Sequence, residues 1–469
     1  MNAVSLRVGP AQMIDVMRII RLAVFRQKGK SMKEDLPSDD VTGGTPGPLR
    51  RTLLQAAPGL GALGLGSAKA AAQVSIVPSI GGDLPPANEA VSAFRVAIAS
   101  DAIDDLRRRL AMTRWSEQET VNDWSQGVPL ARARALIDYW QDGYDMARLE
   151  RRLNAFPQFR TSVDGLGIHF LHVRSKHTNA LPIVLTHGWP GSVIEFLEVI
   201  DPLTDPEAHG GRAEDAFHVV IPSLPGYGFS DKPRQEGWNV PRIATAWSTL
   251  MKRLGYNRWV AQGGDWGAHV ANWLGKQQPE GLAAIHLNFP ILSPPPLEGE
   301  PTAEEKAAIA QLVAFGSTMS GYSKIQATRP QTLGYGLVDS PAGQAAWIYE
   351  KFGDWTDSNR NPESVLSRDA MLDNIMLYWL TATAASSARL YAESFPIHIT
   401  RQVVDIPVGV SVFPGEIYVP PRIWGERTYS KLFYWNRVAK GGHFAAFEQP
   451  TLFTSELRAC FAGIRTRCP

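Results

Sequence analysis

Cysteine is nearly absent: Cys460 and Cys468 are the only two in 469 residues. Two thiols cannot make a disulfide framework, and nothing at metal-ligand or redox spacing surrounds them. They leave two readings, a pair in an exported protein or two free thiols. Charge of one sign is lacking as well, because 47 Lys and Arg stand against 46 Asp and Glu for a formal net charge of +1. With no long basic run the chain offers no footprint for nucleic acid, and a small neutral substrate fits better. After residue 75 there is no apolar run long enough to cross a membrane, no internal repeat and no low-complexity tract. G-x-S-x-G is missing too, so no serine elbow competes for the site argued below. What is present, 44% hydrophobic and 20% charged residues, is the composition of a globular chain with a large core.

The first seventy residues differ in kind. "PLRRTLLQAAPGLGALGLGSAKAAAQ" (48–73) joins Arg50 and Arg51 to a Gly/Ala/Leu-rich run with small-residue cleavage candidates after Ala70 and Ala72. This is the pattern of a twin-arginine export signal, so residues 1–72 are read as a presequence and the protein as periplasmic or secreted. If the segment is only an Ala/Gly linker, the protein stays cytoplasmic. The run is too short and too rich in glycine to span a membrane stably. Met32 offers a start at the conventional distance from the arginines.

Residues 73–165 read as an N-terminal helical extension, because "DAIDDLRRRLAMTRW" (101–115) and "PLARARALIDYWQDGYDMARLERRLNAF" (129–156) carry apolar residues at helical spacing. Strand-like runs separated by helices follow in 166–295: "GIHFLHVRS" (167–175), "PIVLTHG" (182–188), "FHVVIPSLP" (217–225), "WVAQGGD" (259–265) and "AAIHLNF" (283–289). Alternation of this kind predicts a mostly parallel central sheet with helices on both faces. A proline-rich break opens a helical insertion, 296–405, and the strand pattern returns in 406–469 with "IPVGVSVFPGE" and "KLFYWNRVAKGGHF".

In such sheets chemistry gathers at the carboxyl ends of the strands. "QGGDWG" (262–267) stands at one of them, between a strand and the helix-like "AHVANWLGK", with Gly263 and Gly267 at the small positions of a nucleophile elbow and Asp265 at its centre. "HGWPGS" (187–192), "FPGE" ending at Glu416 and "GGHF" containing His443 end three more strands. Nucleophile, acid, histidine is the chain order of an α/β-hydrolase triad. Glu416 is placed to orient the imidazole of His443, which then takes a proton from water. In "HGWP", His187 is read as structural, Trp189–Pro190 as a cis peptide, and the Trp189 N–H as an oxyanion donor.

Taken together and in this order, the motifs resemble epoxide hydrolases of the α/β-hydrolase fold, in the microsomal-type branch that juvenile hormone epoxide hydrolases share. The resemblance runs from about Phe94 to about Leu457 and includes "YWQDGYD", "LNAFPQF", "PSLPGYGFSDKP", "SGYSKIQ", "MLYWLTATAASSARLY" and "GGHFAAFEQP". It implies that Asp265 is the nucleophile, Glu416 the relay acid and His443 the base. It further implies two lid tyrosines on the epoxide oxygen, Tyr322 and Tyr391, with Tyr378 as a rival for the second place. Backbone N–H groups of Trp189 and Trp266 would form the oxyanion hole, with no metal or organic cofactor, and the partners would be a small epoxide and water. A haloalkane dehalogenase and a catalytically silent binder of lipophilic epoxide-like ligands are the alternatives. The oligomeric state, a homo-oligomer included, stays open.

The export reading is tested by changing Arg50 and Arg51 to lysine. The variant is expected to stay in the cytoplasm with its N-terminus uncleaved, as read by fractionation and N-terminal mass; normal export contradicts a twin-arginine address.

Overall fold

The computed structural model describes residues 87–290, 292, 294, 299–395 and 404–465, together with the backbone of 75–77. Residues 1–72, where a presequence is expected, with Arg50 and Arg51, and Cys468 lie outside the described residues. Cys460 is a buried free thiol, packed against Gly409, where a Cβ would stand 2.2 Å from its sulfur.

Eleven strands are described: β1 (Ser75–Val77), β2 (Ser92–Phe94), β3 (Val96–Ile98), β4 (Gln158–Val163), β5 (Leu166–Val173), β6 (Leu181–Thr186), β7 (Phe217–Pro222), β8 (Trp259–Gly263), β9 (Leu282–Leu287), β10 (Val408–Val412) and β11 (Leu432–Arg437). Nine of them form one sheet in the order β11-β10-β9-β8-β6-β7-β5-β4-β2, and β1 pairs with β3 apart from it. From β11 to β7 every pairing is parallel, and from β7 to β2 every pairing is antiparallel. The sequences follow from that placement. "FHVVIP" in β7, "WVAQG" in β8 and "VGVSV" in β10 are buried throughout, as parallel strands covered on both faces must be. The helices Val240–Arg253 and Asp265–Gln277 pack as one pair, and Leu197–Thr204 with Pro450–Arg465 as another.

The segment expected as a helical extension holds the helices Ser100–Ala111, Leu130–Asp142 and Arg148–Asn154, but it is not helical throughout. It also contributes β2, β3 and β4. β4 and β5 form a hairpin closed by Asp164 (φ 51°) and Gly165 (φ 76°), the left-handed pair that a tight hairpin turn requires. Helical periodicity drew attention away from this Asp-Gly signal. The pattern over 129–156 is likewise two helices, broken around Gly143.

Between β9 and β10 the chain forms the helices Ala303–Ala314, Gly321–Thr328, Pro330–Asp339, Pro341–Trp355, Arg368–Leu380 and Ala384–Ser394. Their starts are written in the sequence. Thr302 and Glu305 make a reciprocal capping box, while Ser340 and Ser367 accept N–H bonds from Gly343 and Ala370. From Met371 to Leu380 the fifth of these helices is buried on every side, including Asp373 and Asn374. A carboxylate with no exposure needs donors, and Asp373 has three from the N-terminal helices and their connection: Tyr144 Oη (2.7 Å), Arg152 Nη1 (2.8 Å) and Arg148 Nε (3.1 Å). Tyr139 Oη adds a bond to Asp369 (2.7 Å). The extension is thereby bolted to the insertion.

Candidate active site

Asp265 starts its helix at φ 48°, a left-handed conformation that a non-glycine residue adopts at a cost of roughly 1–3 kcal/mol. Close packing enforces it. A Cβ on Gly263 would lie 2.0 Å from the carbonyl oxygen of Gly267, and one on Gly267 would lie 1.9 Å from that of Thr186 at the end of β6. Gly263 and Gly267 of "GGDWG" are therefore set by sterics.

The two oxygens of that carboxylate meet different partners. Oδ1 accepts the backbone N–H of Trp189 at 2.8 Å, and Oδ2 faces His443 Nε2 at 3.4 Å. On the far side of the ring, His443 Nδ1 lies 2.6 Å from Glu416 Oε1. A carboxylate can only accept, so Nδ1 carries the proton and Nε2 is the nitrogen turned to Asp265. Burial alone would push the imidazole down, but the charges of Glu416 and Asp265 and hydrogen bonds to both hold it well above the ordinary histidine value. The loops carrying the pair are joined by their backbones, since Gly415 N–H donates to Gly441 O at 2.9 Å. Glu448 fastens the histidine loop by accepting from the N–H groups of Gly442 (3.1 Å), Phe444 (3.1 Å) and Asp357 (2.8 Å).

Aromatic rings roof this point. Tyr322 stacks on Trp189 with ring centroids 5.0 Å apart, Tyr391 meets Trp189 edge-on at 5.9 Å, and the two phenols meet each other at 5.9 Å. Trp355 and Phe289 flank His443 at 5.0 and 5.4 Å. Burial first holds both phenols above the ordinary tyrosine value, and the charge of Asp265 adds to it, so both keep their protons. The rival Tyr378 is buried close by, but its hydroxyl donates to Gly191 O at 2.8 Å. Trp266 is the second residue of the helix that Asp265 opens, where backbone N–H groups have no partner within the helix. Its ring packs on Tyr391 at 4.7 Å. The Trp189–Pro190 peptide is cis.

His187 is spent on its own turn. Its Nε2 accepts the N–H of Leu224 (3.2 Å), which leaves Nδ1 to donate to Gly188 O (3.0 Å), and burial pushes its pKa down to about 4.

Two further ionisable residues belong to the site, the partly buried Glu195 and the buried Lys351. Glu195 shares with Asp265, His443, Gly188, Gly191 and Asn288 a cavity of about 20 Å³, room for one water molecule. Burial raises its pKa to about 8, opposed by His443 and reinforced by Asp265. Its signal was the capping-box spacing Ser192-x-x-Glu195. Lys351, 1% exposed, pairs with Glu350 and sets its ammonium 4.5 Å from the centre of the Tyr322 ring. Its place among apolar neighbours on a helix gave no such signal.

Asp265, His443 and Glu416 are thus brought together beyond the carboxyl ends of the parallel strands, under a roof that holds Tyr322 and Tyr391, and the chain is similar in sequence and fold to known proteins. A family model described as epoxide hydrolase N terminus matches residues 91–196, and one described as alpha/beta hydrolase fold matches 182–319. A Stigmatella aurantiaca protein bearing an epoxide hydrolase name is 59% identical over 92% of this chain and 98% of its own. Epoxide hydrolase 1 of Sus scrofa is 34% identical over 80% and 89%. The chain belongs to the epoxide hydrolases. Among solved structures, the juvenile hormone epoxide hydrolase of the silkworm Bombyx mori superposes with a TM-score of 0.72 at 29% identity, covering 81% of this chain and 96% of its own.

Because Asp265 and Glu416 together hold the His443 imidazolium, Asp265→Asn removes one of the two charges. The His443 pKa, followed by NMR, is expected to fall in that variant. An unchanged value contradicts the electrostatic coupling.

Proposed function

We propose that this epoxide hydrolase opens its substrate to a vicinal diol through a covalent ester on Asp265. The reading is carried by one observation: Oδ1 of Asp265 is bound by the Trp189 N–H while Oδ2 faces the His443 imidazole. One oxygen is held and the other is left to react. Oδ2 attacks an epoxide carbon, the C–O bond of the ring breaks, and the freed oxygen takes a proton from Tyr322 or Tyr391. Ester formation discharges Asp265. The imidazole then loses one of the charges that kept it protonated and becomes a base, with Glu416 still orienting it.

Water, deprotonated by His443, next attacks Cγ of Asp265. The negative charge gathers on Oδ1, where the N–H groups of Trp189 and Trp266 hold it, each worth about 3 kcal/mol in comparable sites. Collapse expels the diol with Oδ2, its proton coming from His443; the carboxyl formed keeps the oxygen from water and gives up water's second proton, which restores the phenolate left by the first step. Every group needed belongs to the chain, so the reaction runs without metal or organic cofactor. The aromatic surround favours a neutral, lipophilic epoxide. Because the base must be neutral, ester hydrolysis rises with pH through the His443 titration of the ester form and then levels off.

Tyr322→Phe and Tyr391→Phe are each expected to slow ester formation by about 10 to 1000-fold, less than the full worth of acid catalysis because the other phenol remains. Stopped-flow tryptophan fluorescence reads that step, and an unaffected Tyr391→Phe removes that residue from the role.

His443→Gln separates the two steps. Mixed with an epoxide, it is expected to gain the mass of one substrate molecule on the peptide that carries Asp265, with diol release lost. Absence of the adduct contradicts the reading.

A further inference from the structure

The turn that supplies the Trp189 N–H is held by its own residues at its start, where His187 Nδ1 donates to Gly188 O, but has little means of holding its shape beyond Trp189. Pro190 has no N–H, and Gly188 and Gly191 on either side impose few backbone limits. One buried helix grips it instead. Asn374 Nδ2 donates to Pro190 O at 2.8 Å, Ser192 Oγ donates to Asn374 Oδ1 at 2.7 Å, and Tyr378 Oη donates to Gly191 O at 2.8 Å. Asn374 is fully buried, and each end of its amide has one of these partners. The adjacent residue, Asp373, ties the same helix to the N-terminal extension through Tyr144, Arg148 and Arg152. Three successive residues of the turn, Pro190, Gly191 and Ser192, are thus fixed from a single helix that cannot shift freely.

We infer that Asn374, assisted by Tyr378, is a positioning residue that aims the Trp189 N–H at Oδ1 of Asp265, and that this aim matters to ester hydrolysis and not to ester formation. The inference rests on the two-step reading above. Charge decides which step depends on the aim. In the first step Asp265 turns from carboxylate to ester, so Oδ1 loses negative charge and a hydrogen bond to it stabilises the starting state more than the transition state. In the second step Oδ1 gains a full negative charge. A donor displaced from its line therefore leaves the first step nearly untouched and weakens the second.

The test uses Asn374→Ala and Tyr378→Phe in the full-length enzyme, with styrene oxide as the probe and stopped-flow tryptophan fluorescence resolving the two steps. Each variant is expected to form the ester within about threefold of the wild-type rate and to hydrolyse it about 10 to 100-fold more slowly, so that kcat and KM fall together and kcat/KM is kept. A merely structural role slows both steps alike. That result overturns the inference, as does wild-type ester hydrolysis in a variant that forms the ester normally. Normal ester formation is itself the proof of folding. If Asn374→Ala does not fold, Tyr378→Phe, which loses only a hydroxyl, decides the matter. His443→Gln is run alongside: if it gains no ester on Asp265, the two-step reading falls and the inference with it, whereas normal ester there confines a failure to Asn374 and Tyr378.

Discussion

Asp265 carries its charge at the tip of a strained turn, with 17% of its side chain exposed, and the rest of the site is arranged around that charge. Water cannot solvate it fully, so protein groups must: an N–H from the end of β6 on one oxygen, an imidazole on the other. Each of these is itself held by something else. Trp189 lies in a turn clamped by the helix Arg368–Leu380, and His443 lies in a loop fastened by Glu448 and aligned by Glu416. In the proposed reaction ester formation would consume that charge, and with it the balance that keeps His443 protonated. The same carboxylate would then act first as nucleophile and afterwards, by losing its charge, as the switch that makes the base.

The insertion does more than cover this point. Its first half delivers Tyr322 and Trp355, with Lys351 buried behind them, and its second half delivers Tyr391 and the clamp on the oxyanion turn. The N-terminal extension meets the clamp helix at Asp369 and Asp373, and at Asp373 the contact is a carboxylate without exposure and with three donors. Such a cluster fixes geometry strongly, since removing any partner strands the others in a dry place. The extension is read here as a brace for the part of the insertion that must not move.

How much of this the sequence disclosed depended on whether the physics was local. "GGDWG" is legible because the contact of Gly263 with Gly267 inside the turn forces a small residue, and Glu416 and His443 are legible because both follow strands of one sheet. The Asp164–Gly165 hairpin was equally local, but the helical pattern before it prevailed, and so β4 was assigned to a helical segment. Glu195 and Asn374 left weaker marks, a capping-box spacing in one case and a polar residue inside an otherwise apolar helix in the other. Lys351 left none, because its burial is produced by Tyr322 and Trp355 closing over it, and Tyr322 comes from a different helix of the insertion. Contacts between separate elements decide such positions, and one chain's pattern does not encode them.

The central claim is that the enzyme's own carboxylate, and not water, makes the first bond to the substrate. A single turnover in ¹⁸O-labelled water, with enzyme in excess over a simple epoxide, tests it most directly. The account predicts an unlabelled diol, its new oxygen drawn from Asp265, and ¹⁸O in the Asp265 carboxylate found by peptide mass. Label in the diol from that first turnover, with none in Asp265, would mean direct attack by water and would contradict the account.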